Sequence, residues 1–215
     1  MRAPPLSAVL FDLDGTLIDS AGLILAAYRH TMRRHLGHEL PDELWLAGLG
    51  KPLDVQLSEI ARSEEERVAM RATYREFYIG HHDGMLAPFA GVVDALAALR
   101  GRGLPLAVVT SKMRDTTLRA LDVCGLAGSF ATVVSVDDVT RAKPDPEPVR
   151  VALSRLGAAP GSTMFVGDSP FDMAAGRGAG VRLGAATWGP FPRQALAEYA
   201  PERWLERPAD IADLR

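Results

Sequence analysis

The chain reads as an α/β protein whose parallel-sheet core is split by an inserted all-helical cap. Three observations predict this. Short apolar runs recur without polar alternation, amphipathic segments ending on glycine separate them, and the alternation lapses between residues 17 and about 86. Unalternating, β-branched runs fit strands buried on both faces, the pattern of a parallel sheet.

The strand-like runs fall at residues 8–11 (AVLF), 105–110 (PLAVVT), 131–136 (ATVVSV) and 163–167 (TMFVG), with a weaker fifth at 181–186. The segment GVVDALAALRGRG sets Val92, Leu96 and Leu99 on one face and closes on Gly101 and Gly103. DTTLRALDVCG and DPEPVRVALSRLG repeat the design and end on Gly125 and Gly157. Strand, helix and strand in alternation predict an open sheet with crossover helices. Residues 17–84 instead hold four helical patterns and no convincing strand: SAGLILAAYRHTMRRHLG, DELWLAGLG, LDVQLSEIARS and EEERVAMRATYREFYIGHH. The expected organisation is a discontinuous catalytic core, residues 1–16 and 85–215, around a helical cap, residues 17–84.

Composition narrows the function. Hydrophobic residues make up 47% and charged residues 24% of 215, the balance of an ordinary globular protein. With 24 Lys+Arg against 27 Asp+Glu the formal charge is −3, and the longest basic run is Arg33-Arg34, so no nucleic-acid partner is expected. No apolar run approaches the roughly 20 residues that span a bilayer, and no signal peptide is expected at an amino terminus acidic by position 12. A single cysteine, Cys124, excludes an intrachain disulfide and a cysteine zinc cluster, which fits a cytoplasmic protein.

In open parallel sheets, ligands bind beyond the carboxyl ends of the strands. The first run ends in Asp12-Leu-Asp14-Gly-Thr and the second in Thr110-Ser111-Lys112. Lys143-Pro-Asp-Pro follows the third, and the fourth ends in Gly167-Asp168-Ser-Pro-Phe-Asp172. Each alone is an ordinary turn or cap pattern. Together they crowd Asp12, Asp14, Asp168 and Asp172 into one place, where their charges require a cation. Hard carboxylate oxygens without histidine or cysteine favour magnesium over zinc. A magnesium ion with Lys143 would attract a phosphate dianion, and Thr110 and Ser111 would add donors at a helix start. A carboxylate could then attack phosphorus and divide one hard hydrolysis into two steps.

These segments resemble the motifs of the haloacid dehalogenase superfamily: DLDGT the first, VVTSK the second, KPDP the third and GDSPFD the fourth. The inserted cap is similar to that of the phosphoglycolate phosphatase and β-phosphoglucomutase branch. The resemblance implies a Rossmann-like core and an aspartyl-phosphate mechanism dependent on Mg2+. It makes Asp12 the nucleophile and Asp14 the acid and base, with the Asp14 carbonyl also on the metal. Thr110 and the Ser111 amide would bind the phosphoryl group, and Lys143 would neutralise it. Asp168 would bind metal directly, and Asp172 would bind it indirectly or orient its waters.

Asp14 separates phosphatases from dehalogenating relatives, whose halide leaving group needs no acid. A sugar phosphomutase of this branch typically carries arginine and serine in the cap loop, whereas GLGKPLDVQL offers Lys51. Lys51 could meet an anionic substrate group or be an ordinary solvated lysine. The expected activity is therefore phosphoglycolate phosphatase-like hydrolysis of a small phosphate ester. Inorganic pyrophosphatase is the alternative, since TSKMRDTTLRALDVCGL, AKPDPEPV and ATWGP are similar to a bacterial pyrophosphatase subgroup. A mutase or a phosphate-binding module without catalysis stands behind both. Either a monomer or a homodimer fits. His81 and His82 read as solvated hinge residues, GRGAG as a helix end, Cys124 as a buried structural thiol, and Trp188 as a flap or packing residue.

Overall fold

The structure is a computed structural model and describes residues 4–215. Strand β1 (Ala8–Phe11) is followed by the short β2 (Ile18–Asp19). Helices α1 (Ala21–Leu36), α2 (Asp42–Leu46), α3 (Leu53–Ser58) and α4 (Glu64–Met85) come next, then β3 (Ala87–Pro88). The chain continues through α5 (Val92–Gly101), β4 (Leu106–Val109), α6 (Arg114–Val123), β5 (Thr132–Val134) and α7 (Glu147–Leu156). It ends with β6 (Thr163–Gly167), α8 (Pro170–Ala179), β7 (Arg182–Ala186), α9 (Arg193–Ala197) and β8 (Arg203–Leu205).

Six strands form one parallel sheet in the order β5-β4-β1-β6-β7-β8. The chain builds outward from β1 to β5, then returns to lay β6 on the other flank of β1. This reversal is where an open α/β sheet forms its crevice. Register brings the functional ends together: Phe11 pairs with Val108 on one side and Val166 on the other. All four β1 residues are buried. The strand's alternation sends Val9 and Phe11 into one apolar layer and Leu10 into the other, against Val149, Leu153 and Met173. Each such side chain contributes about 1.5–3 kcal/mol by leaving water.

Local signals set the helix ends. Ser63 Oγ accepts from the Glu66 amide at 3.2 Å, and Glu64, Glu65 and Glu66 place negative charge at the amino terminus of α4. Gly157 closes α7 in the left-handed conformation. The GRGAG segment does end α8, with Gly180 as its cap.

Two strand features exceed the sequence reading. The sixth strand, β8, is three residues long and carries Arg203, too short and polar for the apolar-run test; backbone pairing with β7 makes it an edge strand. Ile18 and Asp19 pair antiparallel with Pro88 and Ala87, so a two-stranded ribbon ties the start and end of the helical segment. No helix among the described residues is long and apolar enough to cross a membrane.

Candidate active site

Asp12 follows β1 directly and donates its amide to the Val166 carbonyl at 2.9 Å, which fixes the side chain over the sheet edge. Lys143 reaches it from the loop before α7. The Lys143 ammonium donates to Asp12 Oδ1 at 2.7 Å, to Asp172 Oδ1 at 2.6 Å and to the Val109 carbonyl at 3.2 Å. Three acceptors satisfy its three protons. The Lys143 side chain is 1% exposed, that of Asp12 5% and that of Asp172 0%, so little water screens these charges.

Asp168 follows β6 and accepts from Thr16 Oγ1 at 2.8 Å. Two glycines make room for it. Gly15 has φ +82°, and a Cβ there would stand 2.5 Å from Asp168 Oδ2; Gly189 lies against the same carboxylate from the other side. Asp172 sits in the first turn of α8. Its Oδ2 accepts from Ser169 Oγ at 2.5 Å and the Ser169 amide at 3.1 Å, a reciprocal capping box. Both Asp172 oxygens are thus engaged, one with the helix start and one with Lys143.

Asp12, Asp168 and Asp172 each offer a carboxylate oxygen within 4.8 Å of the others. Burial raises the Asp12 pKa to about 7, the Asp172 charge adds to the rise, and Lys143 only partly opposes it. Burial and the same neighbours push Asp168 well above the ordinary carboxylate range. Burial would depress the Lys143 ammonium, yet Asp12 and Asp172 raise it above the usual lysine value. Three buried carboxylates against one ammonium leave an excess of negative charge. An oxygen-only donor set with that excess fits a small divalent cation such as Mg2+.

Asp14 departs from this cluster. Its side chain turns toward the helical segment and accepts from Lys112 Nζ at 2.7 Å. Lys112 also stands over the Tyr78 ring of α4, 5.0 Å from its centroid. Burial works against this ammonium, but Asp14 and Tyr78 lift its pKa above the usual value. The sequence reading missed Lys112 as a site residue, although it follows Thr110-Ser111 in the motif. Its position at the strand end was the available signal. Thr110 Oγ1 accepts from the Lys112 amide at 3.2 Å, and Ser111 Oγ is buried without a partner among the described residues.

A cavity of about 180 Å³ lies between these strand ends and α2–α4. Asp12, Asp14, Thr110, Ser111 and Lys143 line its floor. Lys51 is on the wall, pairing with Glu59 at 2.7 Å and standing 5.8 Å over the Phe171 ring. Arg71 and Arg75, absent from the sequence reading, also face it. Trp188 does not line it: the indole donates to the Thr16 carbonyl at 3.0 Å and packs edge-on to Phe89. His82 is no solvated residue. It is fully buried, and its Nδ1 is 2.8 Å from Asp83, which also takes Arg119 of α6 at 2.8 and 2.9 Å. Cys124 is buried, as expected.

A parallel sheet with acidic strand ends, a buried lysine and a helical lid defines a phosphoryl-transfer type of hydrolase. The haloacid dehalogenase-like hydrolase family model matches residues 9–186, and the chain belongs to that family. It is 40% identical over 206 residues to pyrophosphatase PpaX of Bacillus velezensis, covering 95% of this chain and 94% of that one. It is 37% identical to pyrophosphatase PpaX of Oceanobacillus iheyensis, covering 96% and 94%. Among solved structures, a haloacid dehalogenase-like hydrolase from Streptococcus pneumoniae superposes with TM-score 0.84 at 27% identity, covering 97% of each chain. A structure from Haemophilus somnus described as a "predicted phosphoglycolate phosphatase" gives TM-score 0.86 at 25% identity, again covering 97% of each. The chain is thus a hydrolase acting on phosphorylated substrates.

Proposed function

We propose that the protein is an Mg2+-dependent phosphohydrolase that works through an aspartyl-phosphate on Asp12 and takes inorganic pyrophosphate as substrate. The observation that carries the chemistry is the buried Lys143 ammonium bridging Asp12 and Asp172 beside Asp168. With both Asp172 oxygens engaged, Asp12, Asp168 and the Asp14 carbonyl are left to hold the metal directly, while Asp172 orients the lysine. The metal supplies charge neutralisation for the substrate's phosphoryl oxygens.

An Asp12 carboxylate oxygen attacks phosphorus, the bond to the leaving oxygen breaks, and the leaving group departs with the electron pair. Lys143, Thr110 and the Ser111 amide hold the transferring group and its developing charge. Water then attacks the aspartyl-phosphate, Asp14 accepts its proton, and the Asp12–phosphorus bond breaks to release phosphate. Asp14 is held by Lys112, which gives the carboxylate a fixed direction for taking that proton. A phosphate leaving group departs as an anion and asks for none, whereas an alkoxide does. That contrast and the pyrophosphatase names of the relatives favour pyrophosphate. Phosphoglycolate is the second reading, supported by the Haemophilus structure.

Phosphate release from pyrophosphate, phosphoglycolate and p-nitrophenyl phosphate, with Mg2+ or EDTA, tests this. Turnover should need Mg2+, and Asp12→Asn should lower kcat about 10⁴-fold or more. Full rate in EDTA or in Asp12→Asn would sink the mechanism. A kcat/KM higher for phosphoglycolate than for pyrophosphate would reverse the substrate order.

A further inference from the structure

The helical wall of the cavity faces the Asp12 floor with polar side chains and positive charge. Trp45, Gln56 and Tyr78 line it, and the centroid of the Tyr78 ring lies 5.0 Å from Lys112 Nζ.

Beside them stand two guanidiniums whose charge is incompletely matched. Arg71 meets both oxygens of Asp54 only at 3.3 and 3.2 Å, and Asp54 is shared with Arg67. Arg75 makes a single 3.3 Å contact with Asp115, a carboxylate 63% exposed. Exposed pairs this long hold little energy, so both arginines can turn to a better anion.

We propose that this wall, through Arg71 and Arg75, is an anion subsite that binds the leaving group of the substrate and selects leaving groups carrying their own negative charge. A phosphoryl group fits best, because its several acceptor oxygens can take both guanidiniums at once. The carboxylate of a small phosphorylated acid shares the chemistry with fewer oxygens. The inference rests on the reading that Asp12 attacks the transferring phosphoryl group, which places the leaving group against this wall.

The test compares wild type with Arg71→Gln, Arg75→Gln and Arg71→Lys on pyrophosphate, phosphoglycolate and p-nitrophenyl phosphate, whose leaving group has no phosphoryl or carboxylate. The ratio of kcat/KM for pyrophosphate to that for p-nitrophenyl phosphate should fall about 10- to 100-fold in Arg71→Gln, mainly through KM. Arg75→Gln should lower it less, and Arg71→Lys should restore part. The phosphoglycolate ratio should fall too, by a smaller factor, and distinguishes a carboxylate-binding from a phosphoryl-binding role. An unchanged ratio in both Gln variants, or equal losses on every substrate, would overturn the proposal. Calorimetric titration with methylenediphosphonate separates it from the mechanism. Weaker binding in Arg71→Gln supports the subsite even if Asp12→Asn retains turnover, and unchanged binding rejects it even if Asp12→Asn is inactive.

Discussion

At the strand ends, Lys143, Asp12 and Asp172 are at most 5% exposed and bond at 2.6–2.7 Å. Across the cavity, Arg71 is 38% and Arg75 33% exposed, and each holds its carboxylate at 3.2–3.3 Å. Pairs of a cation and a carboxylate thus serve two ends. On the core side, burial strengthens the interactions between the charges and locks their direction, as a group that must act on one phosphorus atom requires. On the helical side, water screens the pairs and leaves them exchangeable, which suits a surface that binds and releases a variable part of the substrate. Lys112 belongs to both sides, since it rises from the core, pairs with Asp14 and lies against Tyr78 of α4.

Lys143→Met should show the largest effect because it removes the ammonium and leaves Asp12 and Asp172 facing each other in a buried space. Breaking a buried pair from one side costs about 3–5 kcal/mol. Activity should fall at least about 10³-fold, and the metal-free protein should lose stability in denaturant titration. If Lys143→Met unfolded at the wild-type midpoint, the core cluster would be no more interdependent than the arginine wall, and the contrast would fail.

Lys112→Met sharpens the comparison at its seam. Without Lys112 the Asp14 carboxylate has no fixed partner and the Tyr78 ring loses its cation. A general acid–base group contributes about 10²–10⁴-fold, so misplacing it should lower kcat about 10- to 100-fold. KM should change less, and Lys112→Arg should recover part of the rate. A fall in KM-dependent terms alone would move Lys112 to the binding wall.

Most of the fold was legible because parallel strands are apolar on both faces and their helices end on glycine. The site was legible where chemistry and strand ends coincide: Asp12, Asp14, Thr110, Lys143 and Asp168 were all named from sequence, and the structure brings their side chains to the same cavity or its edge. What escaped depends on direction. Arg71 and Arg75 sit in a helix rich in charge, and nothing in EEERVAMRATYREF says which residues face a cavity that a different segment closes. His82 looked like a polar hinge residue, and only packing against Tyr78 makes it internal. β8 escaped because backbone pairing, not its side chains, defines it.

Titration offers the finest test of the core's charge excess. The Asp12 pKa stands at about 7 against 3.8 when unfolded, raised first by burial and then by Asp172. Between those values the folded protein keeps a proton that the unfolded chain has lost, so it binds more protons and its stability falls as pH rises. The contribution is fully present below about pH 4 and gone above about pH 7. Asp168 shifts in the same direction and adds to the slope. Asp83 and Glu66, lowered to about 2, act near pH 2–4 and leave this window flat. In EDTA, Tm should therefore fall by a few degrees, about 2–4 °C per kcal/mol, between pH 5.5 and 8. Mg2+ should restore most of the loss at pH 8, because it binds the ionised carboxylates, and little at pH 5.5, where protons compete. Arg71→Gln, on the screened wall, should leave that pH slope unaltered. A slope that vanished in this variant would tie the cluster to the wall and erase the distinction between fixed and exchangeable charge.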